Sequence, residues 1–444
     1  MASAAEQLAA NINWAAFGKA EELKKRIWFT LGALVIYRLG TYIPLPGINA
    51  DAFQAAFLGQ KQGILDLFNM FSGGAVQRMA IFALNIMPYI SASIIISLLT
   101  SVVPSLEALK KEGEAGRRTI NQYTRWLCVI LALFQSYVIA VGLEGRANIV
   151  AQPGLLFRLS TVVTLTGGTM FLVWLSDQIT SRGVGNGSSL IIMAGIVARL
   201  PTAIVQTFEL GRQGTISTTL VLGVVIMAIV VIAFIVFMER AQRRVPITYP
   251  KRQVGNRMYE GQSSFLPLKL NTSGVIPPIF ASSLLLMPAT AANFAQNSGG
   301  VGILATISTL LGRGSPLYIL AYVGLIVFFA FFYTATVFNP ADTADNLKKH
   351  GGFVPGVRPG ERTAQFIDQI LTRITVIGAL YLSLICLLPE LLISSTGLPF
   401  YFGGTSLLIV VNVTMDTVAQ IHGHLQAHQY EGLIRKAKLR GRKK

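Results

Sequence analysis

Charge is scarce in this 444-residue chain: Asp, Glu, Lys and Arg make up 13% of it, about half of the ~25% usual in soluble domains. A shortage on that scale excludes an ordinary soluble protein, which at this length would split into two or three domains. Cysteine is scarcer still. Cys128 and Cys386 are the only two, and each lies inside an apolar run. No disulfide framework or metal spacing can be built from them, and each reads as a small buried hydrophobe. The sequence has no G-x-x-x-x-G-K-[ST] loop for ATP phosphates and no G-x-S-x-G nucleophile elbow. His422, His424 and His428 fall near the tail without an H-E-x-x-H arrangement and read as solvated. Gly183-Val184-Gly185-Asn186-Gly187 imitates a nucleotide-binding glycine run, but it opens an apolar span and follows no strand, so close packing or a hinge explains it better. These absences argue against an enzyme and against any cofactor or bound metal. The first 26 residues are polar and show no cleavable signal pattern.

What is abundant is long apolar sequence. Hydrophobic residues make up 52% of the chain, gathered into ten nearly uncharged runs near 27–43, 79–103, 126–143, 159–175, 189–205, 216–238, 274–296, 316–338, 374–393 and 398–415. Such runs match the ~20 residues a helix needs to cross a bilayer. The expected fold is an all-α polytopic membrane protein with ten transmembrane helices. An even number puts both termini on one side, and Lys24, Lys25 and Arg26 ahead of the first run assign that side to the cytoplasm. The distribution of charge agrees. Lys and Arg fall on the inner side four times in the N-terminus, five over 104–125, once over 176–184, seven over 239–269, five over 339–373 and seven in the tail, 29 of 37 in all.

The rest is organised around Phe68 to Ile96. A short apolar segment, Ile64 to Phe71, is about two helical turns long and ends at Ser72-Gly73-Gly74, half of what a span requires. A span-length run then opens at Met79 with Asn85 and Pro88 in its middle. Proline inside a helix removes a backbone hydrogen bond at a cost of about 3 kcal/mol. Within a membrane that is tolerated only where protein or a water-filled cavity re-satisfies the freed groups. The stretch reads as a half-inserted piece, a glycine hinge and a kinked cavity wall. Pro88-Tyr89-Ile90-Ser91-Ala92-Ser93 is echoed by Pro277-Pro278-Ile279-Phe280-Ala281-Ser282 as P-x-I-x-A-S. Either six low-complexity residues coincide, or two Pro-broken spans in corresponding halves mark a site between repeats.

Two function classes compete. An ion-coupled secondary transporter should carry ionisable residues facing a midplane site, whereas Arg38, Asp177, Arg199, Glu239, Arg373 and Asp416 fall near span ends. The Pro-broken segments instead carry Ile86, Ile90, Ile279, Asn85 and small hydroxyl residues. An apolar lining binds no ion but can gate by excluding water. The excess positive charge sits in the inner loops 239–269 and 339–373 and in the tail. Topology control and attraction to anionic phospholipid explain the tail. The loops, at ~30 residues, exceed a plain connection and suit a docking platform for a cytoplasmic partner, with Arg243, Arg244, Lys251, Arg252, Arg257 and Arg358 as its presented charges.

FNMFSGGA (68–75), IMPYISASIII (86–96), KKEGEAGRR (110–118), ERAQRR (239–244), FNPADTADNLKK (338–349), FVPGVRPGE (353–361) and PFYFGGTSLLIVV (399–411) resemble the bacterial SecY family, in order and over nearly the whole chain. Members are channel subunits of the general protein translocase. The resemblance implies a cytoplasmic N-terminus (1–26), a first half of five spans (27–205), a hinge loop (206–215), a pseudo-symmetric second half (216–415) and a basic cytoplasmic tail (416–444). It implies a pore ring of Ile86, Ile90, Ser188, Ile192, Ile279 and Ile409. A plug would be formed by Ile64, Leu65, Asp66, Leu67, Phe68, Asn69, Met70, Phe71, Ser72, Gly73 and Gly74. A lateral gate into lipid would lie between the second and seventh spans, at Asn85, Pro88, Ser91, Pro277 and Ser282. The implied work is passage of unfolded secretory polypeptides across the bacterial inner membrane and sideways release of apolar helices. The implied partners are the small membrane subunits SecE and SecG, the SecA ATPase, the ribosome, and signal sequences of client chains. The chain departs from the family pattern at Ser188, usually aliphatic, and at Asn256, usually basic.

Overall fold

A computed structural model describes residues 21–59, 69–145, 148–213, 217–249, 252–254, 257–259, 263–285, 315–396 and 404–441. Its helices are α1 (Glu21–Gly40), α2 (Ala50–Gly59), α3 (Met87–Val102), α4 (Pro104–Lys111), α5 (Glu114–Glu144), α6 (Leu155–Arg182), α7 (Gly187–Arg212) and α8 (Thr218–Arg240), then α9 (Ile276–Leu285), α10 (Pro316–Val337), α11 (Pro340–Lys349), α12 (Glu361–Thr396) and α13 (Gly404–Gly441). By length and composition α5, α6, α7, α8, α12, and α10 running on into α11 can each cross a bilayer, and α3 with α4 forms a further candidate bent by 98°. Of the remaining predicted runs, 27–43 falls largely on α1, and the described parts of 274–296 and 398–415 fall on α9 and α13; residues 286–296 and 398–403 lie outside the described residues. The most apolar span, within α8, has a mean hydropathy of 3.3 and turns Leu222, Ile229 and Phe237 outward, a surface that suits hydrocarbon rather than water.

The helices pack as two groups. In the first, α5 lies against α3 and α6, and α6 against α1 and α7. In the second, α12 joins α10 and α13, and α13 joins α8. The groups meet chiefly where α7 contacts α13 and α8. One large apolar core runs through both, from Tyr37, Phe82 and Ile94 to Ile235, Phe329 and Leu382.

Two expectations need correction. Pro88 does not kink a span: residues 81–86 are turns, α3 begins at Met87, and Pro88 occupies its first turn. There the missing N–H would be unbonded anyway and the fixed φ is already helical, so the expected cost vanishes. The helix cannot start sooner because Met79 (φ 46°) and Asn85 (φ 50°) are left-handed, a state that breaks a right-handed helix. Pro277 and Pro278 likewise stand in the opening turn of α9. Second, residues 206–212, read as part of a hinge loop, are the last two turns of α7. Within this mainly helical fold, the described parts of the loop after α8 form strands β1 (Gln242–Thr248), β2 (Arg252–Val254), β3 (Arg257–Tyr259) and β4 (Ser263–Lys269). β1 pairs antiparallel with β4, setting Val245 opposite Leu266, and β2 pairs with β3.

Candidate functional site

Ile86, Ile90, Ile192, Ile279 and Ile409 come from α7, α9, α13 and the start of α3, and all five are buried members of one apolar cluster. Ser188 is half-buried, and its hydroxyl donates to Oδ1 of Asn186 at 2.7 Å. That oxygen also accepts the Ser188 and Ser189 amides and so caps α7. The cap is Asn186 itself, and the Ser188 hydroxyl adds a third donor to its oxygen.

The described part of the segment read as a plug, Asn69 to Gly74, joins the same apolar core through Met70 and Phe71; Ile64 to Phe68 lie outside the described residues. Its seat is made of backbone. A Cβ on Gly195, in the middle of α7, would collide with the Phe71 carbonyl, and one on Gly73 would crowd the Gly195 Cα. Gly73 also has φ 64°, a conformation that costs other residues roughly 1–2 kcal/mol. Polar contacts then fix the segment. Nδ2 of Asn85 donates to the Phe71 carbonyl at 2.6 Å. Nη1 of Arg38 and Nη2 of Arg78 donate to the Gly73 carbonyl at 3.0 and 3.3 Å. The Arg78 guanidinium lies 3.9 Å over the Tyr42 ring. Arg199 on α7 reaches Oε1 of Gln77 at 3.4 Å, and the Gln77 amide donates to Oδ1 of Asn69 at 3.0 Å. Arg38 and Arg199 thus serve a neighbouring backbone turn and are not ion sites at a midplane.

Along the seam read as a lateral gate, Asn85, Pro88, Ser91, Pro277 and Ser282 are all buried. The seam itself is crossed by Ser283, whose hydroxyl points to the Met87 sulfur at 3.5 Å. Sulfur is a weak acceptor, so this closure is cheap to break. Ser282 does not cross the seam; its hydroxyl donates to the Ile279 carbonyl within α9.

The two basic loops form one body. Thr248 and Phe353 exchange backbone hydrogen bonds at 2.9 and 3.0 Å. Val245 and Leu268 of the hairpin pack with Val354, Ile367, Leu371 and Ile374 in a small separate core. Arg243 and Arg244 are exposed on β1. Arg358 is exposed on the turn beyond buried Val354, between Gly356 (φ 82°) and Gly360 (φ 106°). Arg252 and Arg257 stand on β2 and β3, and Lys251 lies outside the described residues.

Sequence reasoning missed Met87, Ser283, Gly195, Arg78 and Gln77. Nothing local marks them, since each acts through a contact with a distant segment.

The profile of the SecY family matches residues 80–418. The protein translocase subunit SecY of Escherichia coli (strain K12) is 55% identical over 428 residues, covering 96% of this chain and 96% of that protein. A solved structure described as showing that the plug domain of SecY stabilises the closed state of the translocation channel and maintains a membrane seal aligns at TM-score 0.62 and 18% identity, covering 90% of this chain and 92% of that one. Sec61 in the canine ribosome-channel complex aligns at TM-score 0.57 and 16% identity with the same coverages.

Proposed function

This chain belongs to the SecY family, and from that premise we propose that it is a passive protein-conducting channel of the bacterial inner membrane. It is not an enzyme. Unfolded secretory polypeptides pass between its two helix groups, and apolar segments leave sideways between α3 and α9. The observation that carries this reading is a backbone-seated turn packed into the same apolar core that holds five isoleucines from four elements. Ile86, Ile90, Ile192, Ile279 and Ile409 share one buried apolar cluster, and the Phe71–Gly73 turn is seated on α7 beside it. A narrow aliphatic neck holds back water and ions because neither can keep its hydrogen bonds there. The same side chains offer a passing chain no fixed polar partner, so any sequence can slide through. Ser188 completes the ring from the capped end of α7. In this reading residues 64–74 are the plug.

Force comes from outside. The fused loop body, with Arg243, Arg244, Lys251, Arg252, Arg257 and Arg358, is the docking face for the SecA ATPase and for the ribosome, whose complex with a channel of this fold supports the assignment. SecE and SecG cover part of the outward apolar surface, both termini are cytoplasmic, and the basic tail meets anionic phospholipid. The test is reconstitution into vesicles with the purified motor. A labelled preprotein should become protease-protected only with motor and ATP. Gradient-driven uptake of a small solute, without preprotein protection, would instead establish a transporter.

A further inference from the structure

A cavity of about 560 Å³ opens beside the isoleucine cluster and plays no part in the neck or the plug. Its walls lie about one helical turn from Ile192, Ile279 and Ile409, on three helices at once, and next to Ser188. Ser189 precedes Ile192 by three residues, Ile276 precedes Ile279 by three, and Val413 follows Ile409 by four. At 1.5 Å per residue this places the cavity roughly 4.5–6 Å from those isoleucines, on the side that the proposed topology makes cytoplasmic. Glu239 and Asp416 both line it. Glu239 is 8% exposed and accepts Nδ2 of Asn271 at 2.6 Å. Lys269 lines the same space, yet among the described residues no Lys or Arg pairs with Glu239 or Asp416; the ion pairs lie elsewhere. Two carboxylates against one ammonium leave the cavity anionic, in a protein whose formal net charge is +17.

A second, independent feature points to what fills it. Asn412 lines the cavity, is 6% exposed, and stands close to Glu239, but its Nδ2 makes no formed hydrogen bond. A buried amide donor without a partner forfeits the hydrogen bond it had with water. It faces Gly274, where φ is 61° and an added Cβ would come within 3.9 Å of that nitrogen. The cavity therefore offers carboxylates for a cation and, beside Glu239, a buried Asn412 amide donor with no formed hydrogen bond that can meet a carbonyl. A ligand with a cationic head and a carbonyl a few bonds away is a Lys or Arg residue of a polypeptide.

We propose that this cavity receives a basic residue of the entering client chain, its ammonium or guanidinium against Glu239 and Asp416 and its main-chain carbonyl on Asn412. The proposal rests on the channel reading. A charged residue held here stays on the near side of the ring, because moving an unpaired charge through an apolar neck is far costlier. The apolar segment that follows it in the client is then delivered to the seam, since α9 both lines the cavity at Ile276 and carries the gate.

The test uses reconstituted complex and a model client with one apolar segment whose N-terminal flank carries Lys, Glu or neutral residues. The readout is the ratio of flanks retained outside the vesicle to flanks protected inside. Glu239→Gln with Asp416→Asn should lower that ratio about tenfold for the Lys client, the scale of a charge-assisted hydrogen bond, and leave the neutral client unchanged. Asp416→Lys, at an exposed residue, should favour retention of the Glu client over the Lys client, an inversion that misfolding cannot produce. An unchanged ratio for the Lys client in these variants, with ordinary preprotein still translocated, overturns the proposal. An equal loss for all three clients overturns it in favour of motor contact at this site. Failure of the unsubstituted complex to translocate anything would count against the channel reading instead.

Discussion

Asn85 and Phe71 are joined by a 2.6 Å hydrogen bond from the asparagine amide to the phenylalanine carbonyl. Fourteen residues apart, they belong to different functional parts. Phe71 ends the turn seated on α7, and Asn85 stands just before α3. In the proposed reading this bond couples plug and gate: a motion that swung the start of α3 outward would pull away the donor that holds the Phe71 turn.

Asn85→Asp isolates this contact. Aspartate keeps the size and tolerates the left-handed backbone at this position (φ 50°), but when ionised it presents only acceptors to the Phe71 carbonyl. Leaving that buried carbonyl unpaired costs about 1–3 kcal/mol, so the plug should leave its seat roughly 5- to 150-fold more often. Single-channel recordings should show more frequent brief openings without any client. A recording indistinguishable from the unsubstituted protein would separate plug from gate.

Gly195→Val attacks the same seat from the other side. Any side chain there meets the Phe71 carbonyl first, with the Tyr37 hydroxyl and the Gly73 nitrogen close behind, and that nearest contact is backbone, which cannot swing aside. The plug should be displaced while α7 remains folded, because valine costs less than glycine in a helix interior. The expected result is a raised resting conductance with normal abundance. Unchanged conductance would place the plug elsewhere.

Photocrosslinkers at Ser91 and Ser282, buried at 8% and 5% exposure, should be silent toward a client until the seam opens. During recognition they should capture the apolar core of a signal sequence. A ~20-residue leucine-rich segment gains about 0.3–0.6 kcal/mol per residue at the bilayer centre and a central Lys loses about 2.5–3.5, sums small enough to equilibrate only beside an opening to lipid. Capture of the mature part alone would move the gate.

Arg358→Glu should reduce motor-driven export severely without affecting insertion, since the residue lies beyond the small inner core and its charge faces solvent. Export at the normal rate and abundance would remove the docking assignment. A comparable loss from Arg440→Glu would point to diffuse charge.

Hydropathy exposed the membrane class and the placing of the helices, because burying apolar sequence in lipid leaves long uncharged runs. Pro88 was misread because proline is equally at home breaking a helix and beginning one. What decides is the left-handed backbone at Met79 and Asn85, which their side chains do not announce. The strands at 242–248 and 263–269 were hidden by their arginines and by Pro246 and Pro267, although Val245 and Ile247 alternate inward. The isoleucines were legible as a group only through their Pro-marked neighbours. Gly195 and the Ser283–Met87 contact were not legible at all, since each depends on a partner more than 100 residues away.

The resting seal is measured in planar bilayers at matched protein amount. With Ile86, Ile90, Ile279 and Ile409 replaced by Ser, resting ion conductance should rise, and rise further when residues 64–74 are also deleted, while Ser188→Ile should leave it lower or unchanged. If these isoleucines merely pack the core, the substitutions would destabilise through the cavities they leave and pass no more current. Unchanged conductance in the combined variant would contradict the seal.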